Sequence, residues 1–442
     1  MTAPNFLVLI TDDQTFESIK RMPRLFSSVA SRGVFFSNCF TCTSICQTSR
    51  STIMTGQYSH NHGVLGNNTS YTVLDETKLL PYLLKNAGYY TGMIGKYLNS
   101  FNYSTSPVPQ GWTDFDGFNG FYGYTRNHNG VVTTAGSTAA DYSTTFASTQ
   151  LQTMLAAATQ PFYIQVGFSA PHVASDALSA TTPSPEYSGC ISTSKTFPHG
   201  PDWNLSDVSL KPQYVKGIPS IDASTEATIN ANWRAVTEAL FSVDKAIKAA
   251  MDYLVTSEKI SNTYVFVTSD NGYFNGEQRF NVGKVAPYES SIHVPLLIAG
   301  PSGSVVQNKT CNELVNHADI PATILELSGV SAALSKDGVS LVPYLLNPSA
   351  SAQRSHLLIE YYGSGDYNSV TDYTCIRSKE WKYTEYSTGE KELYNIRLDP
   401  SEITNVVGLQ ENWPTIRRLS ALIAQGASCS GASCILDRKS VV

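Results

Sequence analysis

Carboxylate and amide side chains follow two apolar runs of this chain at positions where they could bind a metal ion. Asp12 and Asp13 come directly after Phe-Leu-Val-Leu-Ile-Thr, and Asp270 and Asn271 come directly after Tyr-Val-Phe-Val-Thr-Ser. Their oxygen atoms are the ligands that hard cations such as Ca²⁺ or Mg²⁺ prefer. A single Asp pair more often caps a helix or forms an Asx-turn, but two carboxylate-bearing strand ends favour a metal site.

A cysteine and an arginine four residues apart could hold an anion. The stretch that starts at Cys46 can form a helix that ends at Gly56. Cys46 would then lie at the helix N-terminus, where backbone N–H groups favour an anion, and Arg50 would lie one turn further on. A guanidinium is suited to a tetrahedral oxyanion. Taken alone, the pair is equally typical of a buried cysteine beside a surface arginine.

Further polar groups follow apolar runs and could complete the same site. Lys96, with Tyr97 and Asn99 after it, ends one run, and His172 ends another. In open α/β sheets, ligands bind beyond the carboxyl ends of the strands. We therefore expect a functional role for His172 rather than the structural role of a histidine after a proline turn. For Lys284, a solvated surface position is the alternative to a functional one.

The order of apolar runs and helical patterns predicts an α/β fold. Buried strands are predicted over residues 6–10, 90–94, 162–168, 264–268 and 294–298. Helical patterns cover residues 78–87 and 233–257. This alternation predicts a large central, mostly parallel sheet sandwiched by helices. Two segments rich in Gly, Ser, Thr, Tyr and Pro, about residues 100–145 and 175–225, predict long surface insertions.

The pattern changes near residue 347. Four short strand-like segments and a helical segment from Thr415 to Ala424 predict a small antiparallel sheet with a terminal helix. The sequence therefore predicts a catalytic domain over residues 1–346 and a small C-terminal α+β subdomain over residues 347–442.

Composition narrows the class of protein. The chain has 442 residues, 42% of them hydrophobic, which is enough for a large core. A net charge of -6 without a basic block argues against nucleic-acid binding, and no apolar run is long enough to span a membrane. No signal peptide is visible. Several Asn-x-Ser/Thr sequons and the cysteines, of which Cys429 and Cys434 could form a small loop, favour an exported protein over an intracellular enzyme with free thiols.

The stretch Cys46-Gln-Thr-Ser-Arg50, followed by Thr55-Gly56, resembles the signature of the sulfatase family, Cys-x-Pro-x-Arg and then Thr-Gly. The resemblance covers most of the chain and implies an alkaline-phosphatase-like fold. Other residues fall where that family places metal ligands and groups that bind sulfate or the leaving oxygen: Asp12, Asp13, Asp270, Asn271, Lys96, His172 and Lys284.

The resemblance implies a sulfuric ester hydrolase that uses a divalent metal, Ca²⁺ or alternatively Mg²⁺, with residue 46 among the metal ligands together with Asp12, Asp13, Asp270 and Asn271. In that family a formylglycine-generating enzyme oxidises the cysteine to formylglycine, whose hydrate attacks the sulfur. Arg50 and Lys96 would hold the sulfate charge. His172, assisted by Lys284, would protonate the leaving alcohol.

Within the family, four stretches are similar to N-acetylglucosamine-6-sulfatases: Tyr58-Ser-His-Asn-His, Asn67-Asn-Thr, Gly95-Lys-Tyr-Leu-Asn and Ser269-Asp-Asn-Gly-Tyr. This similarity implies a sulfated saccharide as substrate, with the 6-O-sulfate of N-acetylglucosamine removed. The candidate substrate-binding residues are His60, His62, Tyr97 and Asn99, although the two histidines are equally suited to capping a loop. The implied location is secreted, periplasmic or lysosome-like, with the cytoplasm as the alternative.

Two positions depart from the family pattern. Thr48 stands where the signature has proline, and Leu98 stands where many sulfatases have a histidine. Since the modifying enzyme usually reads that proline, two other functions stay open. One is a phosphodiester or phosphonate monoester hydrolase of the same fold, and the other is an inactive protein that binds sulfated glycans.

Overall fold

The computed structural model describes residues 3–173, 181–331, 336–363 and 370–436. The strands are β1 (Asn5–Thr11), β2 (Gly33–Phe40), β3 (Tyr90–Gly95), β4 (Asp114–Phe118), β5 (Thr125–His128), β6 (Val131–Thr134), β7 (Phe162–Gly167), β8 (Thr263–Ser269), β9 (His293–Ala299), β10 (Lys309–Cys311), β11 (Val315–Asn316), β12 (His356–Tyr361), β13 (Tyr373–Ser378), β14 (Trp381–Tyr386) and β15 (Lys391–Asn395).

The helices alternate with these strands over most of the chain. They are α1 (Pro23–Ser28), α2 (Cys46–Thr55), α3 (Ser59–His62), α4 (Leu80–Asn86), α5 (Ser143–Ala157), α6 (Gln213–Lys216), α7 (Ala223–Thr256), α8 (Glu289–Ile292), α9 (Asp319–Ser328), α10 (Val342–Leu346) and α11 (Trp413–Gly426). Among the described residues, no helix is both long enough and apolar enough to cross a membrane.

Eleven strands form one large sheet, in the order β10-β2-β9-β8-β1-β7-β3-β4-β5-β6, with β11 also paired to β2. β1 lies at its centre and pairs in parallel with both β7 and β8. Alternate side chains of β1 enter different cores, with Phe6 and Val8 in one and Leu7 and Leu9 in the other. Both faces of the sheet are therefore covered, which explains why its central strands are continuous apolar runs. The predicted central, mostly parallel sheet between helices is confirmed.

Some strands of this sheet differ from the prediction. β9 runs antiparallel to both β8 and β2, and β2 itself was not predicted. β4, β5 and β6 lie inside residues 100–145, so that segment extends the sheet and its prediction as a surface insertion was wrong for these strands. Of the other predicted insertion, residues 175–180 lie outside the described part of the chain.

The long helix α7 starts ten residues before the predicted helical segment. The Asp222 carboxylate caps it by accepting from the Thr225 N–H at 2.7 Å. Its apolar stripe, which includes Leu240, Val243 and Ile247, packs on the sheet face that carries Leu7 and Leu9. The cap, rather than the apolar periodicity, therefore determines where the helix begins.

The C-terminal part contains a separate antiparallel sheet, β12-β13-β14-β15, with α11 packed on it. This sheet and helix were predicted. It joins the large domain closely, because the Glu360 N–H donates to the Cys42 carbonyl at 2.9 Å. A disulfide links Cys429 to Cys434 after α11. The domain boundary at residue 346/347 falls between α10 and β12 and stays a prediction.

Candidate active site

Four neighbouring strands of the large sheet carry the candidate residues beyond their carboxyl ends. Asp12 and Asp13 follow β1, and Asp270 and Asn271 follow β8. The two pairs interlock, because the Asp13 N–H donates to Asp270 Oδ1 at 3.1 Å and Asn271 Nδ2 donates to Asp13 Oδ1 at 2.6 Å. Asp13 has a φ of 64°, a left-handed conformation that costs free energy for a residue with a Cβ. Strain of this kind concentrates at functional sites.

Cys46 is the first residue of α2, as predicted, and Gly56 ends this helix in a left-handed conformation with a φ of 73°. Every residue of α2 is buried. Cys46 Sγ lies 3.4 Å from Asp12 Oδ1 and 2.6 Å from Lys284 Nζ. The N-terminus of α2 therefore lies against the strand end that carries Asp12.

Arg50 lies one turn into α2, behind Cys46. Its Nε donates to Asp270 Oδ2 at 2.8 Å, and one of its terminal nitrogens donates to the Lys96 carbonyl at 2.9 Å. Its other terminal nitrogen, Nη2, is buried without a hydrogen-bond partner among the described residues. A Cβ at Gly167 would lie 2.8 Å from the guanidinium, so the arginine needs glycine at this position of the sheet.

Two buried lysines bring further positive charge to the cluster formed by Asp12, Asp13, Asp270, Asn271, Cys46 and Arg50. Lys96 contacts Asp12, and Lys284 contacts both Asp13 and Cys46. Burial opposes a charged lysine, but the neighbouring carboxylates outweigh it and raise the pKa of both amines. Both lysines are therefore cations at neutral pH.

Charge and burial also determine the protonation of Asp12 and Cys46. Burial opposes the charged form of Asp12, yet the positive charges of Lys96, His172, Arg50 and Lys284 hold its pKa well below its usual range. Burial raises the pKa of the Cys46 thiol well above its ordinary value, and Asp12 adds to this rise. The unmodified cysteine is therefore a neutral thiol, which is a poor nucleophile.

Two buried oxygen atoms at the centre of the cluster lack donors. Asp13 Oδ2 and Asn271 Oδ1 have no hydrogen-bond partner among the described residues. Potential ligand atoms of Asp12, Asp13, Cys46 and His172 lie within 4.8 Å of one another. A buried acceptor without a donor is costly unless a ligand satisfies it. This oxygen-rich donor set fits a hard divalent cation.

His172 lies at the edge of the cluster, after β7. Its Nδ1 donates to the Val173 carbonyl at 2.6 Å, because a carbonyl can only accept. This contact leaves Nε2, 3.5 Å from Asp13 Oδ2, as the ring atom that faces the cluster. The side chain is 22% exposed, so solvent or a ligand can reach it.

The two histidines predicted to bind substrate have their ring nitrogens occupied elsewhere. His60 contacts Glu360 at 2.8 Å through Nδ1 and the Cys429 carbonyl at 2.9 Å through Nε2. Both contacts hold α3 on the C-terminal subdomain. His62 is buried against Thr52 of α2, and burial lowers its pKa to about 3. These contacts favour the structural alternative of the prediction.

The other two predicted substrate residues also lie apart from the cluster of charges. Tyr97 is 1% exposed, and its ring packs edge-on against Phe101 and Phe115. This packing explains the residue as part of the core and leaves its ring no surface for a substrate. Asn99 lies in an exposed turn after β3, and its binding role stays a prediction.

Ser49 and His317 support the cluster from behind. The Ser49 hydroxyl donates to the Asp270 carbonyl at 2.5 Å and lies 2.9 Å from His317 Nδ1. Burial lowers the pKa of His317 to about 3, so this imidazole is neutral. Ser49 lies inside the Cys46–Arg50 motif, and His317-Ala-Asp-Ile-Pro-Ala-Thr-Ile resembles a further landmark of the sulfatase family, which the sequence predicts to be structural.

A large α/β sheet with metal-suited carboxylates and a buried helix N-terminus at its carboxyl edge defines the alkaline-phosphatase-like class. A family model described as Sulfatase matches residues 4–330, and one described as N-sulphoglucosamine sulphohydrolase, C-terminal, matches residues 276–427. The chain therefore belongs to the sulfatase family, which places it among the sulfuric ester hydrolases.

Named relatives and a solved structure are similar over nearly the whole chain. An arylsulfatase of Volvox carteri is 30% identical, covering 98% of this chain and 75% of that protein. The N-acetylglucosamine-6-sulfatase of Homo sapiens is 28% identical, covering 98% of this chain and 86% of that protein. A structure solved with its substrate D-glucosamine-2-N,6-O-disulfate superposes with a TM-score of 0.82 at 22% identity, covering 96% of this chain and 97% of the other.

Proposed function

We propose that this chain hydrolyses sulfate monoesters, with the 6-O-sulfate of N-acetylglucosamine or a related sulfated sugar as substrate. One observation carries the proposal. Cys46, at the start of a buried helix, faces the carboxylates of Asp12 and Asp13 and is flanked by the cations Arg50, Lys96 and Lys284. Such an arrangement places positive charge around an anionic ester, next to the residue that carries the nucleophile.

The donor set fits a divalent metal and an oxidised residue 46. Asp12, Asp13, Asp270 and Asn271 would hold Ca²⁺ or Mg²⁺, which supplies a Lewis acid beside the sulfate. Oxidation of Cys46 to formylglycine, followed by addition of water to its aldehyde, would supply a hydroxyl nucleophile at the helix N-terminus, where the neutral thiol is a poor one.

The protein's own cations orient and neutralise the sulfate. The buried Nη2 of Arg50 lies 3.9 Å from Asp12 Oδ2 but donates no hydrogen bond to the described residues, so it is available to a sulfate oxygen. Because Asp270 and the Lys96 carbonyl hold the rest of the guanidinium, this donor is fixed before the substrate arrives. Lys96 adds a second positive charge on the same side.

His172 is the proposed acid for the leaving alcohol. The Val173 carbonyl fixes the proton on Nδ1, so Nε2 can carry a second proton and release it to the leaving oxygen. Lys284 lies on the other side of Cys46 and assists by stabilising negative charge on that oxygen.

Three features support the finer proposals on substrate, maturation and location. The similarity to the human N-acetylglucosamine-6-sulfatase favours N-acetylglucosamine 6-sulfate as the first substrate to test. Cys46 is fully buried, so a formylglycine-generating enzyme would have to reach it before the chain folds. The Cys429–Cys434 disulfide favours an exported protein, because such bonds persist in oxidising compartments.

The proposal is tested by turnover of 4-nitrophenyl sulfate and of N-acetylglucosamine 6-sulfate. We expect wild-type protein from an oxidising, modification-competent host to hydrolyse both, and Cys46→Ala to lose activity by a factor of roughly 10³ or more. Cys39→Ala, a change at a buried cysteine outside the cluster, serves as the matched control and should keep its activity. Near-wild-type turnover by Cys46→Ala would refute the mechanism. Faster hydrolysis of bis(4-nitrophenyl) phosphate than of either sulfate would favour the phosphodiesterase alternative.

A further inference from the structure

A cavity of about 690 Å³ opens from Asp13 and extends away from the cluster of charges. Its walls come from the segment after β1, from residues 197–202, from α7 and from the loop after β8. Cavities of this size hold drug-sized organic molecules, whereas a sulfate group alone would fill only a small part. Because it begins at a proposed metal ligand, the cavity is placed to hold the organic part of a sulfate ester.

Aromatic rings line one side of this cavity. Trp233 and Phe197 meet edge to face at 6.5 Å, and Tyr273 and Phe16 also line the space. Apolar ring faces with a few placed polar groups are typical of sites for small organic ligands, including sugars with their apolar C–H faces.

The cavity is lined by more carboxyl groups than cationic groups. Lys20 contacts Glu17, and Arg377 pairs with Glu289 at 2.9 Å, so these four charges are neutralised within the wall. Two other lining carboxyls, those of Asp202 and Glu277, have no ion pair among the described residues.

Arg21 is the lining cation without a carboxylate partner among the described residues. Its guanidinium lies 4.1 Å above the ring of Trp233 and donates to the Thr237 hydroxyl, so the helix α7 already holds it. The cavity is therefore lined by two acidic side chains without an ion pair among the described residues, Asp202 and Glu277. It is lined by one such guanidinium, that of Arg21, which is stacked on Trp233.

The protein holds the side chain of Glu277 and the backbone of Asp202. Glu277 accepts from the Asn275 N–H at 2.6 Å, and the loop after β8 is fastened to the neighbouring segment where the Gln278 N–H donates to the Asp202 carbonyl at 2.8 Å. Burial raises the pKa of Glu277 to about 7, with Asp202 adding to the rise, and burial also raises the pKa of Asp202. A hydroxyl, amide or ammonium donor would relieve this crowding, whereas a further anion would increase it.

We propose that this cavity binds the sugar ring of the substrate, and that Asp202 and Glu277 select a ring with an acetylated or free amino group over one with a second sulfate. The proposal rests on the proposed function. It distinguishes this chain from the structural relative that was solved with a disulfated glucosamine. Selection arises because the negative charge of Asp202 and of the ionised fraction of Glu277, in a partly desolvated cavity, repels an added anion, while Arg50, Lys96 and Lys284 attract only the scissile sulfate.

The test compares kcat/KM for N-acetylglucosamine 6-sulfate and for glucosamine N,6-disulfate. We expect the wild type to prefer the monosulfated sugar by roughly tenfold or more, as expected for a like charge placed beside a carboxyl. Glu277→Gln and Asp202→Asn keep side-chain shape and should each reduce this preference by about threefold or more, mainly through faster turnover of the disulfate. Glu411→Gln, a remote exposed position, is the matched control and should keep the wild-type preference.

Two further measurements distinguish an effect on the cavity from an effect on sulfate binding by Arg50, Lys96 and Lys284. Trp233→Ala should raise KM for the monosulfated sugar by roughly tenfold, whereas the inhibition constant of inorganic sulfate should stay within about twofold in every variant. A wild type that turns over both sugars equally, or variants that keep the wild-type preference, would overturn the inference alone. Absence of turnover on 4-nitrophenyl sulfate as well as on both sugars would overturn the proposed function instead.

Discussion

Two buried carboxylates, Glu392 in the small sheet and Asp13 after β1, differ in how their oxygens are satisfied. Glu392 is 1% exposed and accepts hydroxyl hydrogen bonds from Tyr288 at 3.0 Å, from Tyr386 at 2.6 Å and from Tyr394. Asp13 is 6% exposed, and its Oδ2 accepts no hydrogen bond from the described residues. Burial alone therefore does not distinguish a structural carboxylate from a ligand.

The two carboxylates differ in whether the described residues supply hydrogen-bond donors to both of their oxygens. Three tyrosines compensate the desolvation of Glu392, so that carboxylate can hold the small sheet together without a further partner. Asp13 has a strained left-handed backbone conformation, and its Oδ2 accepts no hydrogen bond from the described residues. The packing of the surrounding strands and helix must compensate the free-energy cost of both. An open, buried acceptor beside other oxygens is the mark of a site that a cation completes.

The largest expected effect is on Asp13. Asp13→Asn keeps the shape of the side chain but removes its charge, so we expect kcat/KM on 4-nitrophenyl sulfate to fall by roughly 10²–10³-fold or more. Ca²⁺ or Mg²⁺ should raise Tm of the wild type, and this rise should shrink in Asp13→Asn. A variant with near-wild-type activity and an unchanged metal-dependent Tm would show that the open oxygen binds no cation.

Glu392→Gln should reduce stability rather than activity, in contrast to Asp13→Asn. Replacing the carboxylate by an amide leaves a tyrosine hydroxyl without its acceptor, so we expect the free energy of unfolding to fall by about 1–3 kcal/mol. Denaturant titration measures this loss, and kcat/KM of the folded fraction should stay unchanged. Loss of activity without loss of stability would contradict the structural role of Glu392.

We expect a smaller effect on stability when a fall in pH protonates His62. Its folded pKa, about 3, lies below the value near 6.5 of an exposed histidine, so the neutral ring stabilises the fold above pH 6.5. That contribution is lost as pH falls from 6.5 toward 3, at up to about 1.4 kcal/mol per pH unit. His62→Gln should flatten the decline of Tm between pH 6.5 and 4.5. An identical decline in the variant would show that His62 does not contribute to acid sensitivity.

Sequence patterns predicted the catalytic edge of the sheet because strand ends encode it locally. Asp12, Asp270 and His172 each follow an apolar run, and parallel neighbouring strands bring their ends together. The start of α2 at Cys46 was equally visible, since Gly56 ends the helix after ten residues. Short-range signals of this kind were sufficient for the parallel core and the charged cluster.

Contacts between distant segments were not predictable in the same way. Glu360 holds His60 across 300 positions of sequence, and Trp233 of α7 meets Phe197 of an irregular segment to form the cavity wall. Neither contact has a periodicity or motif that marks it. For this reason the predicted substrate role of the histidines lost support, and the cavity was found only in the folded chain.

The chemical state of residue 46 determines whether this protein can use an oxidised cysteine as its nucleophile. Tandem mass spectrometry of the tryptic fragment Gly33–Arg50, taken from the native source, reads this residue together with Cys39 and Cys42 as internal controls. We predict an aldehyde in place of the thiol at position 46 and intact thiols at the two controls. An intact thiol at position 46 in active protein would contradict the account, because hydrolysis would then need a different nucleophile.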